Sequence, residues 1–270
     1  MARRLLPHLL LWLAIGLCFL PLLYQLGLSL VPPERLFASP WPFSLPITLE
    51  NYRVVLEKLP LARYAFNSLV FALGSTLGQL VLGLLAAYAF AFRRFALAEL
   101  LFALFVASML VPFVVTYLPS YLLLARLELL NTHLGLILPM LTAGYATFLL
   151  RQRFLSFPKE ILEAALVDGA STLQILWRVL VPANQATLVA LSITLFIGAW
   201  NQFVWPMLVA SRPEMYVLTV AVQRFAGGEG ANAWGPLMAA SVLATLPALL
   251  LFLAFRKRIL ETLLEGGVRL

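Results

Sequence analysis

Long runs of apolar residues fill most of this 270-residue chain, and they restrict it to very few folds. A run of about 20 apolar residues crosses the hydrocarbon layer of a membrane as a helix. A spanning chain must be helical or form a closed barrel, because an unpaired backbone group is too costly in lipid. The runs here are far longer than the roughly ten-residue alternating strands of a membrane barrel. They therefore predict an all-α integral membrane protein.

Six transmembrane helices fit these runs, within a single transmembrane domain that covers residues 1–270. The first run exceeds the roughly 7–15-residue core of a signal peptide and ends without a small-x-small cleavage site, so we expect it to be kept as a span. Repeated prolines between residues 32 and 46 exclude a long helix after it. The predicted spans are about residues 9–30, 65–92, 98–122, 134–152, 184–206 and 234–255.

The charge pattern also indicates a membrane protein. Only 11% of the residues are charged, against roughly 25% in soluble domains. The net charge of +7 comes largely from arginines that flank the apolar runs, where they act as topology signals. We expect no nucleic-acid partner, because no basic patch interleaves with aromatic residues. If the N-terminus is inside, most Lys and Arg residues lie inside as well, which predicts that both termini are cytoplasmic.

A polar, amphipathic segment, residues 157–182, separates the fourth and fifth predicted spans. Pro158 suits the first turn of a helix, Asp168–Gly169 is a turn signal, and Ser171 with Gln174 matches a capping box. The segment therefore predicts a helix, a tight turn and a second helix at the cytoplasmic surface. One interpretation is a helix that lies on lipid headgroups, but such helices are rich in Lys and Arg. The prominent acidic residues here favour a protein partner.

The residues of this segment resemble a known family. The run Glu163–Ala170, which reads EAALVDGA, together with Pro182, resembles the "EAA" loop of ABC importer permeases, and its Asp-Gly-Ala variant is similar to the carbohydrate-uptake branch. The resemblance covers most of the chain and is strongest from about residue 145 to residue 268. Three further pieces agree. Ala199–Pro206 (AWNQFVWP) resembles the end of the fifth span of that branch, and Trp234–Ala240 (WGPLMAA) with Pro247 resembles its sixth span. The tail Leu264–Val268 (LEGGV) is similar to the closing segment of the maltose-type second permease.

The resemblance implies the type I ABC importer permease fold, with residues 157–182 as a cytoplasmic helix-turn-helix coupling loop between spans 4 and 5. In that family the loop docks into a cleft of the cytoplasmic ATPase subunit. The implied coupling residues are Glu163, Ala164, Ala165, Asp168, Gly169, Ala170 and Pro182. The implied partners are a second permease subunit, two cytoplasmic ATPase subunits and an extracytoplasmic solute-binding protein. The implied location is the bacterial cytoplasmic (inner) membrane.

The implied function is that of a membrane-spanning subunit of an ATP-driven, binding-protein-dependent importer for a sugar or sugar-like solute. The pattern Trp200-Asn201-Gln202 and the run Gly228-Glu229-Gly230 before Trp234 look especially like the glycerol-3-phosphate permease. Sugar permeases of the same branch share much of this pattern, so a mono- or oligosaccharide stays an alternative.

The chain carries no recognisable site for ATP, metal or catalysis. A phosphate-binding P-loop requires a Gly-Lys pair, whereas Lys58, Lys159 and Lys257 follow Glu, Pro and Arg. One cysteine and two histidines make no recognisable metal site. We therefore expect a transport subunit that is not an enzyme and has no cofactor of its own, with ATP bound by the partner ATPase subunits.

A polar solute needs hydrogen-bonding groups within an apolar path. Trp200 and Trp205 flank the polar pair Asn201–Gln202, and their rings could stack on a sugar face. The alternative is that both tryptophans belong to an interfacial aromatic belt or to packing. The polar candidates for the solute path are Asn67, Gln79, Asn184, Asn201 and Gln202.

Two other classes of protein remain as alternatives. An ion-coupled secondary transporter would need neither an ATPase nor a binding protein, but it should carry charged residues within the membrane, and few are seen here. A membrane-embedded hydrolase would need a nucleophile and a base, for which the sequence offers no plausible pair.

Overall fold

The computed structural model describes residues 2–36, 38, 41–44, 46–93, 95–227 and 233–267. All regular structure in these ranges is helical, which confirms the predicted all-α class. The run Gly228–Gly230 and residue Val268, which carry part of the family resemblance, lie outside the described residues.

The α-helices of the described ranges follow one another along the chain with short 3₁₀ turns between some of them. In chain order they are α1 (Ala2–Ser29), α2 (Glu50–Lys58), α3 (Leu61–Phe92), α4 (Ala98–Ala107), α5 (Phe113–Arg126), α6 (His133–Ile137), α7 (Gly144–Leu155), α8 (Lys159–Val167), α9 (Thr172–Gln174), α10 (Val181–Ala183), α11 (Gln185–Trp200), α12 (Val204–Val209), α13 (Leu218–Gly227) and α14 (Trp234–Gly267).

Three described helices are long and apolar enough to cross a membrane alone: α1 from Pro7, α3, and α14 up to Arg256. Three further candidates are pairs of helices that meet at a sharp bend. The bent pairs are Ala98–Leu110 with Phe113–Arg126 (97°), His133–Leu141 with Gly144–Leu155 (46°), and Thr172–Ala183 with Gln185–Trp200 (84°). If each pair is one span, the described residues hold up to six, the number that the apolar runs predict. The span limits within one domain stay predictions.

The first two bends lie inside predicted spans, 98–122 and 134–152, whereas the third lies at the start of the predicted span 184–206. In the first bent pair, Val111 is extended (ψ 116°) directly before Pro112. A proline ring clashes with a helical conformation at the preceding residue, and it removes one N–H from the helical ladder. The 3₁₀ turn Leu138–Leu141, which contains Pro139, similarly ends at an extended residue, Thr142. Proline therefore accounts for the break at Val111 and accompanies the break at Thr142.

The chain divides into two compact units, Met1–Phe66 with Val217–Leu250, and Asn67–Tyr216 with Leu251–Leu270. In the first unit, the buried Asn51 of α2 donates from Nδ2 to the carbonyl oxygens of Ser29 (2.9 Å) and Val31 (2.8 Å). These bonds attach α2 to the end of α1. Val55, on the same short helix, packs with Phe225 of α13.

In the second unit, glycines let α3 approach the chain from α6 to α7 closely. A Cβ atom added at Gly78 would lie 2.3 Å from Leu141 Cδ2, and one added at Gly83 would lie 2.6 Å from Ala146 Cβ. Small residues serve the same purpose in membrane helices generally, because helices in lipid associate through close packing. The second unit contains all of segment 157–182 and the helices that hold it.

We expect Gly83→Ala to destabilise the chain by about 1–3 kcal/mol, because the new methyl group overlaps Ala146 and its backbone cannot yield easily. Gly198→Ala is the matched control. It also lies within a helix, and a Cβ there meets no described atom within 4 Å. Thermal unfolding of the detergent-purified chain measures both. Equal melting temperatures for the two variants would contradict the close approach of α3 and α7.

Candidate functional site

Segment 157–182 begins with α8 and a tight turn. Pro158 precedes the helix with an extended ψ of 122°. At the other end, the N–H of Gly169 donates to Leu166 O (3.0 Å) and the N–H of Ala170 donates to Ala165 O (3.0 Å). These two bonds form a Schellman motif, which requires a left-handed residue after the helix. Gly169 supplies it with φ +78°, so the turn predicted at Asp168–Gly169 is confirmed.

The second helix of the segment starts with the predicted capping box. Ser171 Oγ accepts from the N–H of Gln174 (3.4 Å), and Gln174 Oε1 accepts from the N–H of Ser171 (2.7 Å). Beyond α9 the helix widens to a π-helix, Ile175–Leu180, which the sequence analysis did not foresee. Pro182 has no N–H to offer the carbonyl group of Arg178, so an α-helical ladder cannot run unbroken to the end of the segment.

A single buried side chain attaches α8 to the rest of the chain. Leu162 is buried and Ala165 is half-buried, while the other residues of α8 are exposed. Leu162 belongs to a core cluster built from the ends of several helices of the second unit. The other buried members of this cluster are Leu84, Ala87, Ala146, Leu150, Phe154, Ile175, Leu176, Leu180 and Leu191.

The exposed side of α8 carries both apolar and acidic residues. Val167 is 87% exposed and Leu166 is 60% exposed, and the carboxyl groups of Glu163 and Asp168 lie on exposed residues beside them. Residues four apart share one face of a helix, so Glu163 and Val167 are neighbours on the surface. Apolar side chains exposed next to charged ones are typical of a surface that another molecule covers.

A cavity of about 370 Å³ lies beside α8 in the second unit. Its wall combines cationic, acidic and aromatic side chains from the end of α3, the end of α7 and α8 itself. The polar and aromatic lining residues are Tyr88, Phe92, Arg93, Phe154, Phe157, Lys159, Glu163 and Thr172. The exposed face of α8 therefore borders a groove as well as open solvent.

Three of the predicted solute-path residues are engaged within the chain. Asn67 is buried, and its Nδ2 donates to the carbonyl oxygens of Glu214 (2.9 Å) and Tyr216 (3.0 Å). Trp200 and Trp205 are also buried. The hydrogen bonds of Asn67 join α3 to the loop before α13. The burial of the two tryptophans agrees with the alternative that they serve packing.

The rings of these tryptophans have defined neighbours. Trp205 Nε1 donates to Leu136 O (3.0 Å), and its ring stacks on Tyr117 with centroids 5.9 Å apart. The ring of Trp200 stacks on Phe196 with centroids 5.6 Å apart. In this conformation Trp205 has no exposed surface with which to meet a solute.

Of the remaining predicted solute-path residues, three are more accessible and one is buried. Asn201 is exposed at the end of α11, and Gln202 and Gln79 are half-buried, whereas Asn184 is buried and donates from Nδ2 to Leu180 O (2.8 Å). None of the predicted solute-path residues lines either of the two cavities described for this chain.

A larger cavity, of about 920 Å³, lies where two of the bent helix pairs break. Its lining includes Pro112 and Pro139, and hydroxyl groups from Thr116, Ser120 and Tyr145. Broken backbone at membrane depth is tolerated where it is buried in protein or lines a cavity. None of these residues was predicted from the sequence as part of a site, although prolines in the middle of apolar runs were a usable signal.

Comparison with known proteins agrees with the resemblance of the segment. Residues 79–263 match the family described as "Binding-protein-dependent transport system inner membrane component". The chain is 34% identical over 208 residues to the sn-glycerol-3-phosphate transport system permease protein UgpE of Pectobacterium atrosepticum, covering 77% of this chain and 74% of that protein. It is 30% identical over 268 residues to the UgpE protein of Escherichia coli O1:K1, covering 96% and 95%.

Solved structures are similar in fold. A bacterial ABC transporter involved in the import of the acidic polysaccharide alginate contains a chain that matches with a TM-score of 0.81 at 21% identity, over 95% of this chain and 96% of that one. The alginate transporter in complex with its pentasaccharide-bound periplasmic protein contains a chain that matches with a TM-score of 0.57 at 17% identity, over 97% and 93%. These likenesses show the ABC importer permease fold.

Ser171→Ala should loosen the second helix of segment 157–182, because the N–H of Gln174 loses its acceptor; such a cap is worth about 1 kcal/mol. Ser171→Asp keeps an acceptor at the same position and should behave like the native chain. Hydrogen exchange of the amides of residues 172–176 measures the effect. Exchange rates in Ser171→Ala that equal those of Ser171→Asp would show that the capping box does not stabilise this helix.

Proposed function

This chain belongs to the family of inner membrane components of binding-protein-dependent transport systems, and we propose that its coupling loop, residues 157–182, is the surface through which ATPase subunits drive it. Family membership makes it a permease subunit of an ABC importer of the carbohydrate type. It also rules out the ion-coupled secondary transporter that the sequence alone left open. The proposal concerns how this chain receives its energy and what it moves.

The observation that carries the proposal is the exposure of α8. A surface that binds another protein must be accessible to it. Glu163, Ala164 and Val167 all lie on the exposed side of this helix. Burial of Glu163 in the core of the chain would have been incompatible with such a role. The Schellman motif at Gly169 supports it as well, because it gives the exposed helix a defined end and direction.

The anchor of α8 supports a mechanical role. Leu162 packs into a cluster that contains Leu84 of α3, Phe154 of α7 and Leu191 of α11. Protein interiors are packed to the density of organic crystals, so a displacement of α8 must move these helix ends with it. ATP-driven closure of the ATPase subunits would pull on the loop and shift the balance between inward-open and outward-open states, each of which is a population that ligands bias.

Each coupling residue has a role in this proposal. Glu163 pairs with a cationic or hydrogen-bonding group of the ATPase cleft, and the small side chains of Ala164 and Ala165 let the cleft approach closely. Gly169 aims the helix, Asp168 and Ala170 complete the turn, and Pro182 ends the loop where the next span begins.

The partners follow from the same proposal. ATP is bound by two cytoplasmic ATPase subunits, a second permease completes the pathway, and both termini of this chain lie in the cytoplasm. A solute-binding protein docks on the opposite side, near residues 31–63 and 207–233. A periplasmic partner of this kind is present in the alginate transporter whose permease shares this fold.

We propose a sugar or sugar-like solute, with sn-glycerol 3-phosphate as the first candidate, because relatives of this chain carry that name over nearly their whole length. Asn201, Gln202 and Gln79 are the path residues we favour, since Asn201 is exposed and the other two are only half-buried. Calorimetry of the cognate solute-binding protein with sn-glycerol 3-phosphate and with maltose tests the solute. Binding of neither compound would remove both from consideration while leaving the coupling proposal intact.

Replacing Gly169 by Val should abolish uptake without preventing membrane insertion, because φ +78° is strongly unfavourable for a β-branched residue. A Cβ at this position meets no described atom within 4 Å, so the cost comes from the backbone conformation of the residue itself and not from a clash with another part of the chain. Gly169→Asn is the matched control, since Asn tolerates the left-handed region, and it should retain most uptake. Uptake of labelled solute into cells, with membrane content measured by immunoblot, checks both variants; native uptake by Gly169→Val would contradict the role of the turn.

Glu163→Gln should weaken attachment of the ATPase subunits. Loss of one hydrogen bond to a charged group costs about 1.5–3 kcal/mol, which is roughly 10- to 100-fold in Kd. Glu160→Gln, which changes another exposed acid in the first turn of α8, is the control. The measurement is the amount of ATPase subunit that copurifies with each variant, and equal amounts for Glu163→Gln and Glu160→Gln would argue against this site.

A further inference from the structure

Arg151 of α7 joins three helices through one side chain. Its Nε donates to Phe90 O (3.1 Å), and its Nη2 donates to Glu99 Oε1 (2.9 Å). The guanidinium carbon also lies 4.0 Å from the centre of the Phe102 ring. Phe90 belongs to α3, whereas Glu99 and Phe102 belong to α4. The side chain is 12% exposed, although the sequence analysis treats such arginines only as topology signals.

Only an arginine can make these contacts together. The guanidinium group is planar and carries five N–H donors in a fixed arrangement, so it can stack on a ring while it donates in two directions. Lysine carries a compact charge on a flexible stem and lacks this plane. The geometry at Arg151 is therefore a three-way joint and not a simple ion pair.

The three contacts differ in strength. The Glu99 side chain is 83% exposed, and exposed ion pairs contribute little because water screens them. The carbonyl group of Phe90 and the face of Phe102 meet the covered part of the guanidinium group. These two contacts therefore carry most of the attachment, and Glu99 is secondary.

Arg151 lies between the coupling loop and the 920 Å³ cavity of the second unit. Arg151 lies in the last two turns of α7, which leads through Pro158 into α8 of the coupling loop. On its other side, α4 continues to Ser108 and Met109, which line the 920 Å³ cavity at the helix breaks. A movement of the coupling loop thus has a direct path to the cavity wall.

We propose that Arg151 is a positioning residue for transport, which makes α4 follow α7 when the coupling loop moves, so that the cavity changes shape with the ATPase cycle. This inference rests on the proposed role of the coupling loop. A second contact, in which Arg93 at the end of α3 donates to Thr172 Oγ1, ties α3 to the start of the second loop helix. Arg93 is exposed, so it is the weaker of the two connections.

The test uses the complete transporter, reconstituted with its second permease, ATPase subunits and binding protein, and it measures labelled solute transported per ATP hydrolysed. We expect Arg151→Met to lower this ratio by roughly 2- to 30-fold, the range in which single residues alter coupling between sites. Arg151→Lys should lower it by an intermediate factor and Glu99→Gln only slightly. The control is Arg153→Met, since the exposed side chain of Arg153 makes no hydrogen bond or ion pair with a described residue.

A distance measurement separates positioning from a merely structural role. Spin labels at Gln152 on α7 and Leu101 on α4, both exposed, are introduced after Cys18, the single cysteine, is replaced by Ser. In the native background, the label separation should be the same in the nucleotide-free and ATP-bound states, because the two helices move together. In Arg151→Met and Arg151→Lys the separation should differ between the two states.

The outcomes distinguish this inference from the proposed function. If ATPase subunits copurify with Arg151→Met and the transport ratio and label separations match the native transporter, the joint has no positioning role, and the coupling loop proposal stands. Weaker ATPase copurification with Glu163→Gln and loss of uptake with Gly169→Val are separate observations that concern the loop alone. If Arg151→Met does not insert, Arg151→Lys decides the question, and a native ratio with native separations in that variant overturns the inference.

Discussion

An unpaired backbone N–H or C=O group costs several kcal/mol in hydrocarbon, and nearly every feature of this chain follows from that cost. This cost explains why the described regular structure is helical. It also means that the backbone groups left unpaired at each helix break need other hydrogen-bond partners. The breaks at Val111–Pro112 and Thr142–Ala143 face a cavity. At Gly169, outside the apolar runs, a Schellman motif pairs the last carbonyl groups of α8 with backbone N–H groups.

Two sets of contacts attach the proposed coupling loop and α7 to the other helices of the second unit. Leu162 joins α8 to the core cluster, and Arg151 joins α7 to α3 and α4. The first connection is apolar packing, which resists any separation. The second combines directional hydrogen bonds with ring stacking, which also resists rotation. In the proposed mechanism, these two connections let α8, whose one buried side chain is Leu162, act on helices that lie deeper in the fold.

The relatives and the fold carry different information about this chain. Structures that share only about a fifth of its residues have the same permease fold, and one of them belongs to an importer of an acidic polysaccharide. Sequence relatives over the same length belong to a system for a phosphorylated three-carbon compound. One fold therefore serves solutes of very different size, so the fold alone does not determine the solute.

Local sequence patterns predicted where the helices and the turn of segment 157–182 begin and end. The positions of Pro158, Gly169 and the Ser171–Gln174 pair depend on neighbours within a few residues, and the structure has the predicted turn and capping box there. The π-helix that follows was not predicted, because its register depends on how Pro182 and the adjoining span are placed together.

What the sequence determined by itself was the helical class, the runs long enough to span a membrane and the exposed loop with its caps. These are set by the period of apolar residues and by short-range backbone hydrogen bonds, both of which can be read from the order of residues. Only the tertiary structure decided the bends between paired helices, the burial of Trp205 against Leu136 and Tyr117, the hydrogen bonds of Asn67 and the joint at Arg151. Those features depend on contacts between residues that are distant in the chain. The hydropathy of a single helix does not indicate which distant residue a side chain contacts.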